Sequence, residues 1–106
     1  MNERFATPEP RELFNKIKQS AKKRNIPFDM TILDFYLIDF PITCPVLNIP
    51  LKWNRGQAQD NSYSFDRIDS SKGYTLDNLE IISVKANRAK NNLTEDELKK
   101  FGLYYS

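Results

Sequence analysis

One stretch limits what the chain can become more than any other. Between residues 63 and 92 it prescribes a fixed local order of elements. Tyr63–Ile68 reads as a strand rich in β-formers. Asp69–Asp77, holding Ser70, Ser71 and Gly73, reads as a connection. Leu79–Ser83 is a second strand, and Val84–Asn91 follows at once as a short basic helix. A strand–loop–strand–helix unit this small needs other elements packed around it. The rest of the chain must supply them.

The N-terminal part supplies helices. Residues 1–7 show no pattern and should fray. Thr7 followed by Pro8 predicts a helix start, with Thr as cap and Pro at the first helical position. Leu13, Phe14, Ile17 and Ala21 then recur at helical spacing, and the helix should end near Asn25, before Pro27. Its other face carries Arg11, Lys16, Lys18, Lys22, Lys23 and Arg24 against Glu12. Asp29 is a candidate cap for a second helix over about residues 30–39, apolar most of the way round and so expected to be buried. Pro41 stops it. In residues 43–53 two short apolar runs flank Asn48, which tolerates a turn conformation, and a tight hairpin follows. Asn54–Asn61 is a polar loop. Thr94 and Glu97 form a capping box for a last helix, expected to end near Lys100, before Gly102.

The fold class expected is α+β. A single domain spans residues 1–106, with a helical part over 1–40, a hairpin and strand–loop–strand–helix unit over 43–92, and a helix and tail over 93–106. Apolar residues make up 40% of the chain and charged residues 28%, as in a soluble globular protein. No apolar run approaches a membrane span, and the first ten residues have no apolar segment of the kind a secretory signal carries.

Composition also narrows the chemistry. There is no histidine and one cysteine, Cys44. A Ser-His-Asp triad, a Cys-His pair and an imidazole-dependent zinc site are all excluded. The lone thiol fits a reducing compartment, and the cytoplasm is the expected location. Any metal would be a hard cation held by oxygens, so Mg²⁺ or Mn²⁺ and no zinc.

The order strand, loop, strand, helix is also the outline of a ββα-metal nuclease site. The run Asp66-Arg67-Ile68, then Asp77-Asn78, then Leu79–Ser83, then Asn87-Arg88 resembles the HNH endonuclease family, in particular members with Asp-His in the first strand and Asn on the helix. The nine-residue step from Asn78 to Asn87 matches HNH domains of CRISPR effector nucleases. A Cys-Pro-Val-Leu segment at 44–47 resembles the hairpin that precedes the site in small phage-type HNH proteins. The likeness covers roughly residues 44–92.

The resemblance implies roles. Asp66 and Asn87 would be the two metal ligands, and Asn78 the middle residue that ties the loop and orients the base. Arg67 stands where the family keeps its general-base histidine. That is a departure, because arginine cannot accept a proton near neutrality. Arg67 is left as a clamp on a phosphate oxygen, with a metal-bound water as nucleophile helped by Asp69, or as the mark of a dead site. Without the resemblance, Asp66 is an ordinary strand-end turn residue, Asn87 a helix-surface amide and Arg67 part of a surface ion pair.

The implied activity is metal-dependent hydrolysis of DNA phosphodiester bonds, by an endonuclease or nickase. The alternative is a catalytically silent relative that binds nucleic acid or a protein. Lys85, Arg88 and Lys90 lie in a segment without acidic residues between Ile81 and Asn92, and are expected to meet phosphates. Lys72, Lys22, Lys23 and Arg24 are further candidates for DNA contact. Trp53, Tyr63 and Tyr74 are expected in the core or at its rim, and Cys44 inside. No membrane partner is expected, and oligomeric state stays open.

Overall fold

A computed structural model describes residues 7–54 and 56–106. Residues 1–6, expected to fray, and Arg55 in the polar loop lie outside the described residues. Among the described residues, the fold is a small α+β arrangement of four α-helices and one two-stranded antiparallel sheet.

Helix α1 (Pro10–Lys23) starts two residues later than the Thr7-Pro8 pair predicts. The reason is Pro10. A proline disfavours helical backbone in the residue before it, and Glu9 is extended at φ −80°, ψ 126°. Glu9 therefore becomes the cap, its carboxylate accepting from the Glu12 and Arg11 amides at 2.8 and 3.3 Å. At the other end Asn25 takes a left-handed φ of 56°, a conformation that Asn tolerates. Leu13, Ile17 and Ala21 form the buried stripe.

Helix α2 (Ile32–Leu37) corrects two expectations. Thr31 caps it, not Asp29, through a reciprocal box with Asp34. Asp29 is unavailable because its backbone is extended beside another segment, its N–H donating to the Tyr74 carbonyl at 2.9 Å. Nor is α2 the buried helix. Phe35 is buried, but Leu33, Tyr36 and Leu37 are each more than half exposed. The chain leaves the helix at Ile38, and Ile38 and Phe40 pack on the core from irregular backbone.

The expected hairpin over 43–53 is a tight turn with a single bridge, Thr43 to Pro50. Asn48 adopts φ 59°, and its N–H reaches the Cys44 carbonyl at 2.9 Å. Strand β1 (Tyr63–Arg67) and strand β2 (Leu79–Ser83) pair antiparallel, with Tyr63 opposite Ser83, Asp66 opposite Glu80 and Arg67 opposite Leu79. Alternation then divides the sheet. Tyr63 and Phe65 share one face, where Phe65 meets Phe40 and Trp53 edge-on. Ser64, Asp66 and Glu80 share the opposite face, which helix α3 (Val84–Asn92) covers.

The core gathers Leu13, Ile17, Phe35, Cys44, Trp53, Tyr63, Tyr74 and Ile82, and α4 adds no buried residue to it. Each such side chain contributes about 1.5–3 kcal/mol on burial. The 69–78 connection is drawn onto this core through Pro27. Tyr74 N–H donates to the Pro27 carbonyl at 2.8 Å, and a Cβ on Gly73 would stand 2.5 Å from that oxygen. Only glycine fits there.

Helix α4 (Glu95–Tyr105) opens with the expected Thr94/Glu97 box but runs through Gly102 instead of stopping near Lys100. A mid-helix glycine costs about 1 kcal/mol against alanine and does not force an end. No residue of α4 is buried. Among the described residues, no helix is long and apolar enough to cross a membrane.

Candidate active site

The β1–β2–α3 unit brings Asp66 and Asn87 to the same side of the sheet. Asn87 Nδ2 donates to Ser64 Oγ at 2.9 Å, two residues before Asp66 on the same strand face. One helical turn further on, Lys90 Nζ lies 3.7 Å from Asp66 Oδ2. Asp66 and Asn87 thus lie on the face of the sheet that α3 covers, with Asn87 turning its nitrogen to β1 while its Oδ1 accepts from Asn91 Nδ2 at 3.3 Å. Ser83 caps α3 by accepting from the Ala86 amide at 3.1 Å, which fixes where the helix starts and so which residues point at β1.

Asp66 is partly committed already. Its Oδ1 accepts from the Arg67 amide at 2.8 Å, leaving Oδ2 towards Lys90. Lys90 Nζ is closer still to Glu80 Oε1, at 2.6 Å, and 3.4 Å from the Arg67 carbonyl. The ammonium sits among three oxygens. Burial pulls its pKa down, but the hydrogen bond and charge of Glu80, with the charge of Asp66, more than offset this, and the net direction is up. Lys90 was expected to meet phosphate. The structure engages it with two carboxylates instead.

Arg67 faces away from this cluster. Its Nη1 donates to the Ser70 and Lys72 carbonyls at 2.8 and 2.9 Å, and its guanidinium lies 5.8 Å from the centre of the Tyr74 ring. Its Nε is buried with no hydrogen-bond partner among the described residues. Arg67 therefore closes the 68–73 loop.

Asn78 ties the same loop from below. Its Oδ1 accepts from the Asp69 amide at 2.9 Å, and its Nδ2 donates to the Gly73 and Asp69 carbonyls at 2.8 and 3.1 Å. Asp69 Oδ1 accepts from the Ser71 hydroxyl and amide at 2.6 and 2.9 Å. The Ser71 hydroxyl, then its amide, hold the Asp69 carboxyl below the usual range.

Of the other expected contact residues, Lys85 and Arg88 are exposed on α3, Lys72 is exposed in the loop, and Lys22 and Lys23 are exposed in the last turn of α1. Arg24 Nη2 donates to the Tyr74 hydroxyl at 2.6 Å. Sequence reasoning passed over Ser64 and Glu80. Glu80 looked like a surface residue of an alternating strand; only the register, which sets it opposite Asp66, makes it part of the cluster.

Among the described residues, no group of three or more His, Cys, Asp or Glu side chains gathers in one place. No protein-family model matches the chain, and neither a search of curated proteins nor one of solved structures found a match.

Proposed function

We propose that the chain is an HNH-like endonuclease or nickase acting on DNA, with β1, β2 and α3 as its ββα-metal unit. The observation that supports this most is that Asp66 and Asn87 lie on the same face of the sheet, where Asn87 bonds Ser64 and Lys90 reaches Asp66. Asp66 Oδ2 and Asn87 Oδ1 are oxygen donors, the kind a hard divalent cation takes. They would hold Mg²⁺ or Mn²⁺, with water and a substrate phosphate filling the other positions. Bound there, the ion would supply Lewis-acid stabilisation of charge on the phosphodiester.

The chain's own groups do the positioning. Asn78 and Arg67 brace the loop after β1, and so fix the backbone that carries Asp66. Lys85 and Arg88, both exposed on α3, would meet phosphates. Neither neighbour of the site is suited to take a proton from water. Arg67 is a permanent cation, and Asp69 is held below the ordinary carboxylate range. A general base is typically worth 10²–10⁴-fold, so the enzyme is a slow one. The cytoplasm is its expected place of action.

A second reading is favoured by one specific contact. The Lys90 ammonium already stands beside Asp66 at 3.7 Å and pairs with Glu80 at 2.6 Å, on the side of the carboxylate where a metal would sit. A module that binds nucleic acid without cutting it needs nothing more. Supercoiled plasmid incubated with Mg²⁺, Mn²⁺ or EDTA separates the two. Nicked or linear product with either metal, absent with EDTA and absent for Asp66→Ala, supports the nuclease. DNA binding that survives EDTA and Asp66→Ala, with no product under any condition, leaves the silent module.

A further inference from the structure

We infer that the cleft between α1 and β1 is a phosphate-binding groove that holds a DNA strand beside the candidate cutting site. This rests on the reading of the chain as a DNA-binding nuclease and adds where the substrate backbone runs. The cleft encloses about 250 Å³. Lys16, Ser20 and Arg24 form one wall, and Ser64, Phe65 and Tyr74 lie on the other. The first three are spaced i, i+4, i+8, so they form one stripe along α1, beside the buried stripe of Leu13, Ile17 and Ala21.

Three observations point to an anionic strand as the occupant. Two cations line the cleft, and no acidic residue among those described does. Both cations are held in place: Lys16 Nζ lies 5.1 Å from the centre of the Trp53 ring, and Arg24 is bonded to the Tyr74 hydroxyl at 2.6 Å. Little side-chain freedom is then lost when a phosphate arrives. The cleft also runs along β1, the strand that carries Asp66: Tyr63, Ser64 and Phe65 line it, one to three residues before Asp66, although the Ser64 hydroxyl that accepts from Asn87 lies on the opposite face of the sheet. The volume is below the ~300–1,000 Å³ of pockets that enclose a whole small molecule. It suits a phosphate and sugar of a strand running past.

The proposal selects residues the basic composition of α1 does not. All four are exposed, but Lys16 and Arg24 line the cleft and should matter more than Lys22 and Lys23, which do not. Binding of a labelled single strand and of a duplex is measured without divalent cation across a salt series, so the result does not depend on cleavage. Lys16→Ala and Ser20→Glu should each weaken binding several-fold. Lys16→Ala should also lower the slope of log affinity against log salt by about 0.7–0.9. Ser20→Glu sets a carboxylate in the cleft while leaving both cations in place. Circular dichroism melts confirm folding, and Lys22→Ala/Lys23→Ala is the comparison.

If wild type binds and cuts DNA but Lys16→Ala and Ser20→Glu bind with unchanged affinity and slope, the groove is refuted and the nuclease reading stands. If millimolar inorganic phosphate binds to the same cleft and DNA binds no more tightly than phosphate, a small-anion site replaces the strand groove. If wild type binds no DNA at all, both readings fall together.

Discussion

Lys90 and Glu80 are joined by an ion pair of 2.6 Å, and the same ammonium stands 3.7 Å from Asp66. Asp66 and Glu80 are direct cross-strand partners, so two carboxylates would otherwise face each other on one side of the sheet. Lys90 supplies the positive charge that this pairing requires. In the proposed nuclease a divalent cation would compete with it for Asp66.

Replacing Lys90 tests that competition. Both partners are about a third exposed, so solvent screening limits the pair to about 0.5–1 kcal/mol. Lys90→Ala should lower Tm by about 2–8 °C in the absence of divalent cation. Millimolar Mg²⁺ should then restore more of that loss in the variant than it adds to wild type, because ligand binding stabilises the folded state by mass action. Equal Mg²⁺ responses in the two proteins would show that Lys90 does not occupy the metal's place.

The loop after β1 hangs on Asn78. One amide side chain makes three hydrogen bonds to backbone groups of Asp69 and Gly73, and the residue is 9% exposed. Asn78→Ala leaves those groups without partners, at about 1–3 kcal/mol for each left unsatisfied in the interior. The variant should lose at least ~2 kcal/mol in urea unfolding. Asn78→Asp should be no milder, since an ionised carboxylate cannot donate to either carbonyl. Wild-type stability in either variant would mean the loop is held by other contacts.

These features differ in how far they could be read from sequence. The strand–loop–strand–helix order was legible because alternation, a turn-rich connection and a basic helix follow one another without interruption. The start of α1 was misread because two prolines, Pro8 and Pro10, compete, and the second decides by forcing Glu9 out of the helix. The exposure of α2 was not legible. Its apolar composition is real, but only Phe35 has a core to face. At the site, Asp66, Asn78 and Asn87 stood out through the resemblance to HNH sequences, not through any property of the single residues. Glu80, Ser64 and the true partners of Lys90 and Arg67 depend on strand register and loop path, which single residues do not encode.

Asp69 gives the loop a pH dependence of known sign. Its carboxyl is held below the ordinary range by the Ser71 hydroxyl and amide. A carboxyl whose folded pKa is depressed contributes stability that is present above its unfolded value, near ~3.9, and lost as pH falls through the folded value. Ser71→Ala removes the hydroxyl. The stability gap between wild type and Ser71→Ala should be constant from pH 7 down to about 5, and should close as pH falls below about 4. A gap that widens in acid would mean the hydroxyl acts through some group other than Asp69.

Arg67 is the position where the sequence departs most from a nuclease with a histidine base, and the structure gives the side chain a different duty. Its guanidinium spans from β1 to the Ser70 and Lys72 carbonyls and lies by the Tyr74 ring. Histidine is too short to reach both carbonyls, and alanine reaches neither. Both Arg67→His and Arg67→Ala should therefore loosen the loop, with a loss of about 0.5–1.5 kcal/mol, since the freed carbonyls are exposed and can bond water. Cleavage should fall with it, because the backbone that presents Asp66 shifts, although an imidazole of pKa near ~6.5 is now available. Plasmid nicking and thermal melts are measured side by side for wild type and both variants. If Arg67→His cuts faster than wild type, the missing base outweighs the loop, and the site is a nuclease that has lost its proton acceptor. If wild type cuts and both variants lose activity together with stability, Arg67 serves the enzyme by holding the loop in place.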